Sequence, residues 1–208
     1  MPKISVVIFD CDGVMFDSRP SNIAFYNHLL AHFGLPPMAE DKADLVHMAT
    51  AEESIRHVFE GSPHLEEALE YRWKMDYTPF FQAMRMEPGL KTLLQRLKPD
   101  FGLAVATNRS NTIGDVLAWH GLTIYFDIVV SSLDVRKPKP DPESLIKILD
   151  FFAIKTSEAV YVGDSSVDSE TASNAAVPFI AYKDRDLEAA YHADRLEEVA
   201  RIVGADPC

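Results

Sequence analysis

An apolar run that stops at two acids, close to the N-terminus, constrains this chain more than any other feature. The run Val6-Val7-Ile8-Phe9 leads directly into Asp10-Cys11-Asp12-Gly13. Short apolar runs rich in β-branched residues are typical of buried strands, and a glycine is typical of the turn that follows. We therefore expect a buried strand that carries Asp10 and Asp12 at its carboxyl end. Two acids beside a glycine are also typical of a solvated turn, so the pair alone leaves both interpretations open.

From residue 87 onward, short apolar runs alternate with helical patterns. The apolar runs predict strands near residues 103–106, 128–130, 159–162 and 178–181, with helices between them. Strands that alternate with helices favour a parallel sheet joined by right-handed crossovers. The predicted fold class is therefore α/β, a doubly wound parallel-sheet core.

Between the first strand and the second, the pattern is helical and predicts no strand. Apolar residues recur there at helical spacing: Ile23, Tyr26, Leu30 and Phe33. Thr50 and Glu53 have the spacing of a capping box at the start of a further helix. We expect a core formed by residues 1–16 and 87–208, with an all-helical cap inserted at residues 17–86. An insert that follows the acids directly should lie over them as a lid, although a helical bundle without a gating role is the alternative.

The charge of the chain restricts its partners. Its 208 residues carry a formal net charge of −12. Nucleic acids and anionic membranes bind basic surfaces, so neither is expected as a partner. Nothing after Met1 is typical of a leader, and no apolar run approaches the roughly 18 residues of a membrane span. Because only Cys11 and Cys208 are cysteines, no disulfide framework is expected, and a cytoplasmic location is the prediction.

Side chains that can bind anions or cations follow two further predicted strands. Thr107, Asn108 and Arg109 come after the second strand, and Asp164 and Asp168 follow the fourth. Open parallel sheets bind ligands beyond the carboxyl ends of their strands. Two carboxylates four residues apart suit a hard divalent cation, which prefers oxygen ligands. Thr-Asn-Arg-Ser by itself is equally typical of a helix N-terminus.

A basic loop follows the third predicted strand. It reads Val135-Arg136-Lys137-Pro138-Lys139-Pro140-Asp141-Pro142. A lysine ahead of two spaced prolines lies on a stiff, extended segment, which holds its ammonium group in a fixed place. An ordinary basic surface loop is the alternative.

The pattern from Val7 to Ser18 is three apolar residues followed by Asp-x-Asp-Gly-Val-x-x-Asp-Ser. It closely resembles the first signature of the haloacid dehalogenase-like (HAD) hydrolases. The later motifs resemble those of the same family and occur in the same order. The resemblance covers the whole core, whereas the cap is similar only in its position and helical character.

In the phosphatases of this family an aspartate is the nucleophile. The resemblance therefore implies that Asp10 attacks phosphorus, giving an aspartyl-phosphate, and that Asp12 acts as general acid and base. It also implies a Mg²⁺ cofactor bound by Asp10, the backbone carbonyl of Asp12 and Asp164. Asp168 would be either a second carboxylate ligand or an outer partner. Thr107 stands where the family has a phosphoryl-binding Thr or Ser.

The resemblance also suggests residues that bind substrate. Asn108 and Arg109 adjoin Thr107 and are expected to bind substrate with it. The family pattern Lys-Pro-x-Pro-Asp selects Lys137 as the catalytic and substrate-binding cation and leaves Lys139 at the variable position.

The order of motifs resembles the phosphoglycolate phosphatase and β-phosphoglucomutase type of subfamily. The implied function is hydrolysis of a small phosphorylated metabolite. Dehalogenases of the family lack the second aspartate, and the phosphonate-cleaving branch needs a cap lysine that residues 18–41 do not contain. A mutase remains the alternative, but no arginine occurs between His47 and Arg56, where mutases commonly bind a second phosphate. A non-catalytic binding protein is a further alternative, although every motif residue is present.

Overall fold

The computed structural model of the chain describes residues 3–205, and its strands form one large sheet and one small ribbon. The strands are β1 (Val6–Phe9), β2 (Phe16–Asp17), β3 (Arg85–Met86), β4 (Gly102–Ala106), β5 (Ile128–Val130), β6 (Ala159–Gly163), β7 (Phe179–Tyr182) and β8 (Tyr191–Ala193). Six of them pair in parallel in the order β5-β4-β1-β6-β7-β8. The prediction of an α/β fold with a parallel sheet is confirmed.

Helices connect the strands. They are α1 (Arg19–His32), α2 (Ala43–Met48), α3 (Ala51–Val58), α4 (Leu65–Tyr71), α5 (Thr78–Ala83), α6 (Leu90–Leu97), α7 (Ile113–Trp119), α8 (Glu143–Phe152), α9 (Ser166–Ala175) and α10 (Leu196–Ile202). Single 3₁₀ turns occur at Glu40–Lys42, Arg72–Lys74, Thr123–Tyr125 and Thr156–Glu158. None of the helices in residues 3–205 combines the length and the apolar character of a membrane span.

The central position of β1 follows from its composition. Val7 and Phe9 pack into the core on one face of the sheet, while Val6 and Ile8 pack into the core on the other. A strand that is apolar on both faces is stable only where helices cover both. Burying each such side chain stabilises the fold by about 1.5–3 kcal/mol.

Helices α1 to α5 lie between the two strands of the ribbon and have a core of their own. Phe25, Leu29, Ile55 and Phe59 are buried together there. The ribbon pairs β2 with β3 in antiparallel fashion, so the chain leaves the core and returns to it through neighbouring segments.

The sequence did not predict all strands. Asp17 and Arg85 lie in β2 and β3, so the prediction of no strand within residues 17–85 is wrong at its two ends. Strands of two residues are too short to show a periodic pattern. Strand β8, Tyr191–Ala193, was also missed. Of the two cysteines, Cys11 is buried and unpaired, and Cys208 lies outside the described residues.

Candidate active site

The carboxyl ends of neighbouring strands bring the predicted polar residues together. Asp10 follows β1, Thr107 follows the adjacent β4, and Asp164 follows β6 on the other side of β1. Asp10, Asp12, Thr107 and Asp164 line one cavity that is partly open to solvent. Residues far apart in sequence thus share one site.

The lysine in this site is Lys139. Its Nζ lies 2.8 Å from Oδ1 of Asp10 and 2.7 Å from Oδ1 of Asp168, and its side chain is only 4% exposed. The Lys137 side chain is 77% exposed and its Nζ lies 4.0 Å from Asp141. The prediction that Lys137 provides the cation of the site is therefore wrong. The loop contains two overlapping copies of the pattern Lys-Pro-x-Pro. The second copy, Lys139-Pro140-Asp141-Pro142, begins two residues after the first, and the fold places the lysine of this second copy beside Asp10.

Three carboxylates are crowded beside this lysine. Asp10, Asp164 and Asp168 each have a carboxylate oxygen within 4.8 Å of the others. Burial raises the pKa of Asp10 to about 7, partly offset by Lys139 and reinforced by the charge of Asp168. Burial also raises the pKa of Asp164 to about 8, and the nearby charges of Asp168 and Asp10 add to this effect. One buried ammonium group does not neutralise three carboxylates, so the cluster suits a further cation.

Both oxygens of Asp168 are already occupied. Oδ1 accepts hydrogen bonds from Lys139 Nζ and from the Tyr161 hydroxyl at 2.6 Å, and Oδ2 accepts one from the Ser165 hydroxyl at 2.6 Å. Burial alone would raise the pKa of Asp168, but Lys139 and these hydrogen bonds hold it below its ordinary value. Asp168 is thus better placed to orient Lys139 and the start of α9 than to bind a cation directly.

Asp12 has a different set of partners. Arg109 donates from Nε to Oδ2 of Asp12 at 2.8 Å and from Nη2 to Oδ1 at 2.7 Å, and the Ser18 hydroxyl also donates to Oδ1. Burial opposes ionisation of Asp12, but Arg109 outweighs it and lowers the pKa of that carboxyl. Two aspartates two residues apart therefore have opposite pKa shifts, which is typical of an active site.

Thr107 and Asn108 contribute to the site in different ways: Thr107 faces the cavity, and Asn108 binds backbone groups of its wall. Thr107 is buried, lines the cavity, and accepts a hydrogen bond from the Arg109 backbone N–H at 3.1 Å. Asn108 accepts from the Lys139 backbone N–H at 3.0 Å and donates to the carbonyls of Lys139 and Met48 at 3.2 and 3.1 Å. Asn108 thus holds the backbone of Lys139 and links it to the last residue of α2.

Gly13 permits the close approach of Asp164. Gly13 has a φ of +82°, and a Cβ atom on it would lie 1.8 Å from Oδ2 of Asp164. Only glycine adopts this left-handed backbone conformation without strain and also lacks the Cβ atom for which there is no space.

The inserted helices form the other wall of the cavity. Phe25, Tyr26, Tyr77 and Phe80 line it with aromatic surface. This wall adds aromatic surface to a cavity whose opposite wall, at the strand ends, is lined by polar and charged side chains. Aromatic surface combined with placed polar groups is typical of a small-molecule site.

Several residues of the site were not predicted from sequence. Tyr161 has the appearance of an ordinary core residue of a strand, and Ser18 that of a helix N-cap. Asn22 has contacts that depend on the fold of the cap, with its Nδ2 lying 3.4 Å from Nδ1 of the cap residue His47. Lys139 had a detectable signal, since both lysines of the loop precede a proline.

Comparisons with known proteins identify the family of the chain. A family model described as haloacid dehalogenase-like hydrolase matches residues 7–182. A phosphoglycolate phosphatase of Rhodobacter capsulatus is 30% identical over 95% of this chain and 94% of its own length. A pyrophosphatase of Bacillus velezensis is 28% identical over 83% of this chain and 80% of its own length. The crystal structure of a HAD-superfamily hydrolase of subfamily IA, variant 1, from Geobacter sulfurreducens is 40% identical, covers 97% of both chains and has a TM-score of 0.80.

The chain therefore belongs to the haloacid dehalogenase-like hydrolases. The prediction of an enzyme of this family is confirmed, with phosphatases among its relatives.

Proposed function

We propose that this enzyme is a Mg²⁺-dependent phosphatase that hydrolyses the phosphate monoester of a small metabolite through an aspartyl-phosphate. The observation that carries the proposal is the convergence of Asp10, Asp164 and Lys139 at one end of the cavity, with Asp12 and Arg109 lining the same cavity. A phosphate monoester resists attack because its oxygens are anionic, and a site that hydrolyses it must neutralise this charge.

The carboxylates fit the magnesium ion that the family implies. Hard divalent cations prefer oxygen ligands, and the pKa values of Asp10 and Asp164 are raised by burial and, to a smaller extent, by the neighbouring carboxylates, so a bound cation would stabilise their ionised forms. Asp10, Asp164 and the backbone carbonyl of Asp12 would hold the ion, with Asp168 as an outer partner. When bound, Mg²⁺ supplies positive charge to the phosphate oxygens and keeps Asp10 ionised.

Asp10 is the nucleophile in this proposal. Its carboxylate oxygen forms a bond to phosphorus while the bond from phosphorus to the leaving oxygen breaks. Lys139 neutralises charge on the transferred group from a fixed position, because Asp10 and Asp168 both hold its ammonium group. Thr107 donates its hydroxyl proton to a phosphoryl oxygen.

Asp12 transfers the protons. In the first step it protonates the leaving oxygen, and in the second it takes a proton from the water that attacks the aspartyl-phosphate. The contact with Arg109 favours the ionised form of Asp12, which is the form needed in the second step. In the first step that contact has to loosen as the leaving group enters.

Phosphoglycolate is the first substrate to test, because several of the curated relatives are phosphoglycolate phosphatases and the cavity suits a small molecule. A sugar-phosphate mutase is the second candidate. The cap arginine that comes after the mutase position, Arg56, is 49% exposed and pairs with Glu52. It does not line the cavity that contains Asp10, and this favours hydrolysis.

A substrate panel tests the proposal. We expect phosphate release from phosphoglycolate or another small monoester, dependent on Mg²⁺ and abolished by EDTA. Asp10→Asn should abolish turnover without unfolding the protein, whereas Asp115→Asn, at an exposed position of α7, should leave it unchanged. An Asp10→Asn protein as active as wild type would contradict the proposal, and an isomerised sugar phosphate without phosphate release would favour the mutase.

A further inference from the structure

We propose that Asn108 is a positioning residue that couples the cap, helices α1 to α5, to the lysine of the site. When the cap lies against the core, the Asn108 amide holds the backbone of Lys139 in the place from which its ammonium group reaches Asp10. This inference rests on the proposed function, in which Lys139 neutralises charge on the phosphoryl group, and adds to it a link between that charge and the position of the cap.

The Asn108 side chain binds the backbone of Lys139 on both of its polar groups. Oδ1 accepts a hydrogen bond from the Lys139 N–H at 3.0 Å, and Nδ2 donates to the Lys139 carbonyl at 3.2 Å. Lys139 lies between Pro138 and Pro140, which have no N–H to offer a partner. The buried amide of Asn108 therefore fixes the point from which the Lys139 side chain extends.

The same amide group also binds the cap. Nδ2 of Asn108 donates to the carbonyl of Met48, the last residue of α2, at 3.1 Å. A primary amide has two N–H donors, and the carbonyls of Met48 and Lys139 use both. The bond to Met48 thus restricts the rotation of the amide plane, and this rotation decides whether the Lys139 backbone keeps its two partners.

The bond between Asn108 and Met48 lies at the boundary between cap and core. Both residues line the cavity that contains Asp10, and both also line a second opening between α2, α3 and the loop at Lys139. Met48 belongs to a cap helix, whereas Asn108 follows β4 of the sheet. A cap that lifts from the core therefore takes the Met48 carbonyl away from Asn108 and frees the amide to turn.

The ammonium group of Lys139 depends on an exact backbone position. It donates to oxygens of Asp10, Asp168 and Tyr161 at 2.8, 2.7 and 2.9 Å. An ammonium group has three N–H donors, so all three are used at once. A displacement of about 1 Å in such a site can lower a rate by about 100-fold. The lysine is thus fully placed only while the cap is seated.

Removing the amide tests the inference from the core side. Asn108→Ala should lower kcat for p-nitrophenyl phosphate by about 10- to 100-fold. In the substrate-free protein, NMR should show the backbone amide proton of Lys139 exchanging at least about 10-fold faster relative to the amides of β1, because it loses its acceptor. Either quantity unchanged in folded Asn108→Ala protein would overturn the inference.

Asn174→Ala is the matched control. Asn174 is an exposed residue of the core helix α9, and its Nδ2 donates to the carbonyl of Pro140 at 3.1 Å, in the same loop. Its removal should change kcat and the exchange of the Lys139 amide by less than about twofold. Equal effects of Asn174→Ala and Asn108→Ala would overturn the inference, since any contact with the loop would then serve as well.

A substitution in the cap tests the coupling itself. Ala49 has a φ of −79°, which suits a proline, and a proline there disfavours the helical conformation of Met48 and turns its carbonyl away from Asn108. Ala49→Pro should therefore speed exchange of the Lys139 amide as Asn108→Ala does, and the two changes together should exceed neither alone. Exchange is the readout because Ala49 lines the cavity. Wild-type exchange in folded Ala49→Pro protein, or effects that multiply in the combined variant, would overturn the inference.

The two proposals fail in distinguishable ways. Hydrolysis of p-nitrophenyl phosphate that depends on Mg²⁺ and Asp10 tests the phosphatase itself, whatever Asn108 does. Exchange of the Lys139 amide is measured without substrate or turnover, so its dependence on Asn108 and on the cap stands or falls separately. A confirmed phosphatase with unchanged exchange in the variants would overturn only the role of Asn108.

Discussion

Lys137 and Lys139 are two positions apart and have opposite environments. Lys137 is exposed, whereas Lys139 lies between Asp10 and Asp168 with its ammonium group almost fully buried. Its burial alone would lower the pKa of Lys139, but the two carboxylates raise it above its ordinary value. The group therefore stays charged through the physiological range, as its role requires.

A matched pair of substitutions tests which lysine acts in the site. Lys139→Gln should lower phosphatase activity by at least about 10²-fold, because it removes a preorganised positive charge at the reacting group. Lys137→Gln should change activity by less than about twofold, since surface charges contribute little. Steady-state rates with p-nitrophenyl phosphate measure both, with circular dichroism to check folding. Loss of activity in Lys137→Gln instead would contradict the structure.

At the scale of elements, the start of α3 connects the cap to the site. Thr50 Oγ1 accepts from the Glu53 backbone N–H at 3.2 Å, and the Glu53 carboxylate accepts from the Thr50 backbone N–H at 3.0 Å. The capping box predicted from sequence is thus present. It fixes the start of α3 close to Met48, the last residue of α2, whose carbonyl accepts the hydrogen bond from Asn108.

Removing this cap should destabilise the protein measurably. We expect Thr50→Ala to lower the free energy of unfolding by about 1 kcal/mol, because the Glu53 N–H loses its partner. Thr123→Ala, at an exposed position, is the control and should change it by less than about 0.5 kcal/mol. Urea unfolding measures both, and equal effects of the two substitutions would show that the capping box does not contribute.

At the scale of the whole molecule, the crowded carboxylates link stability to pH and to metal. The pKa of Asp10 is raised to about 7 and that of Asp164 to about 8, from an ordinary 3.8. Between these values the folded, metal-free protein binds more protons than the unfolded chain. Its stability should therefore fall as pH rises from about 4 to 8.

Thermal unfolding in EDTA tests this sign. Tm should be lower at pH 8 than at pH 5, and Mg²⁺ should raise it at pH 8 by binding the folded state. Asp164→Asn should reduce both the pH dependence and the Mg²⁺ effect. Asp115→Asn removes one charge from an exposed site and should leave both nearly as in wild type. A metal-free Tm that rises with pH over this range would contradict the account.

The strands and site residues that could be predicted from the sequence are those marked by a pattern of a few neighbouring residues. Strands β1 and β4 to β7 follow from apolar runs, and Asp10 and Asp164 follow from the ends of those runs. Strand β8 was missed because it reads Tyr-His-Ala and has no apolar run.

Contacts that form only in the folded chain left no such signal. Arg109 meets Asp12 across 97 residues of sequence. Tyr161 donates to Asp168 from a position that reads as ordinary strand core. The choice between Lys137 and Lys139 depends on how the loop after β5 turns toward Asp10, because both precede a proline.

The most direct measurement of the central claim is a search for the phosphorylated residue. Enzyme with Mg²⁺ is mixed with excess phosphoglycolate or an aryl phosphate, quenched in acid within one turnover, digested and analysed by mass spectrometry. The account predicts one phosphoryl group on the peptide that contains Asp10, labile in base and absent from Asp10→Asn. Turnover without any phosphorylated peptide, or a phosphoryl group on another residue, would contradict it.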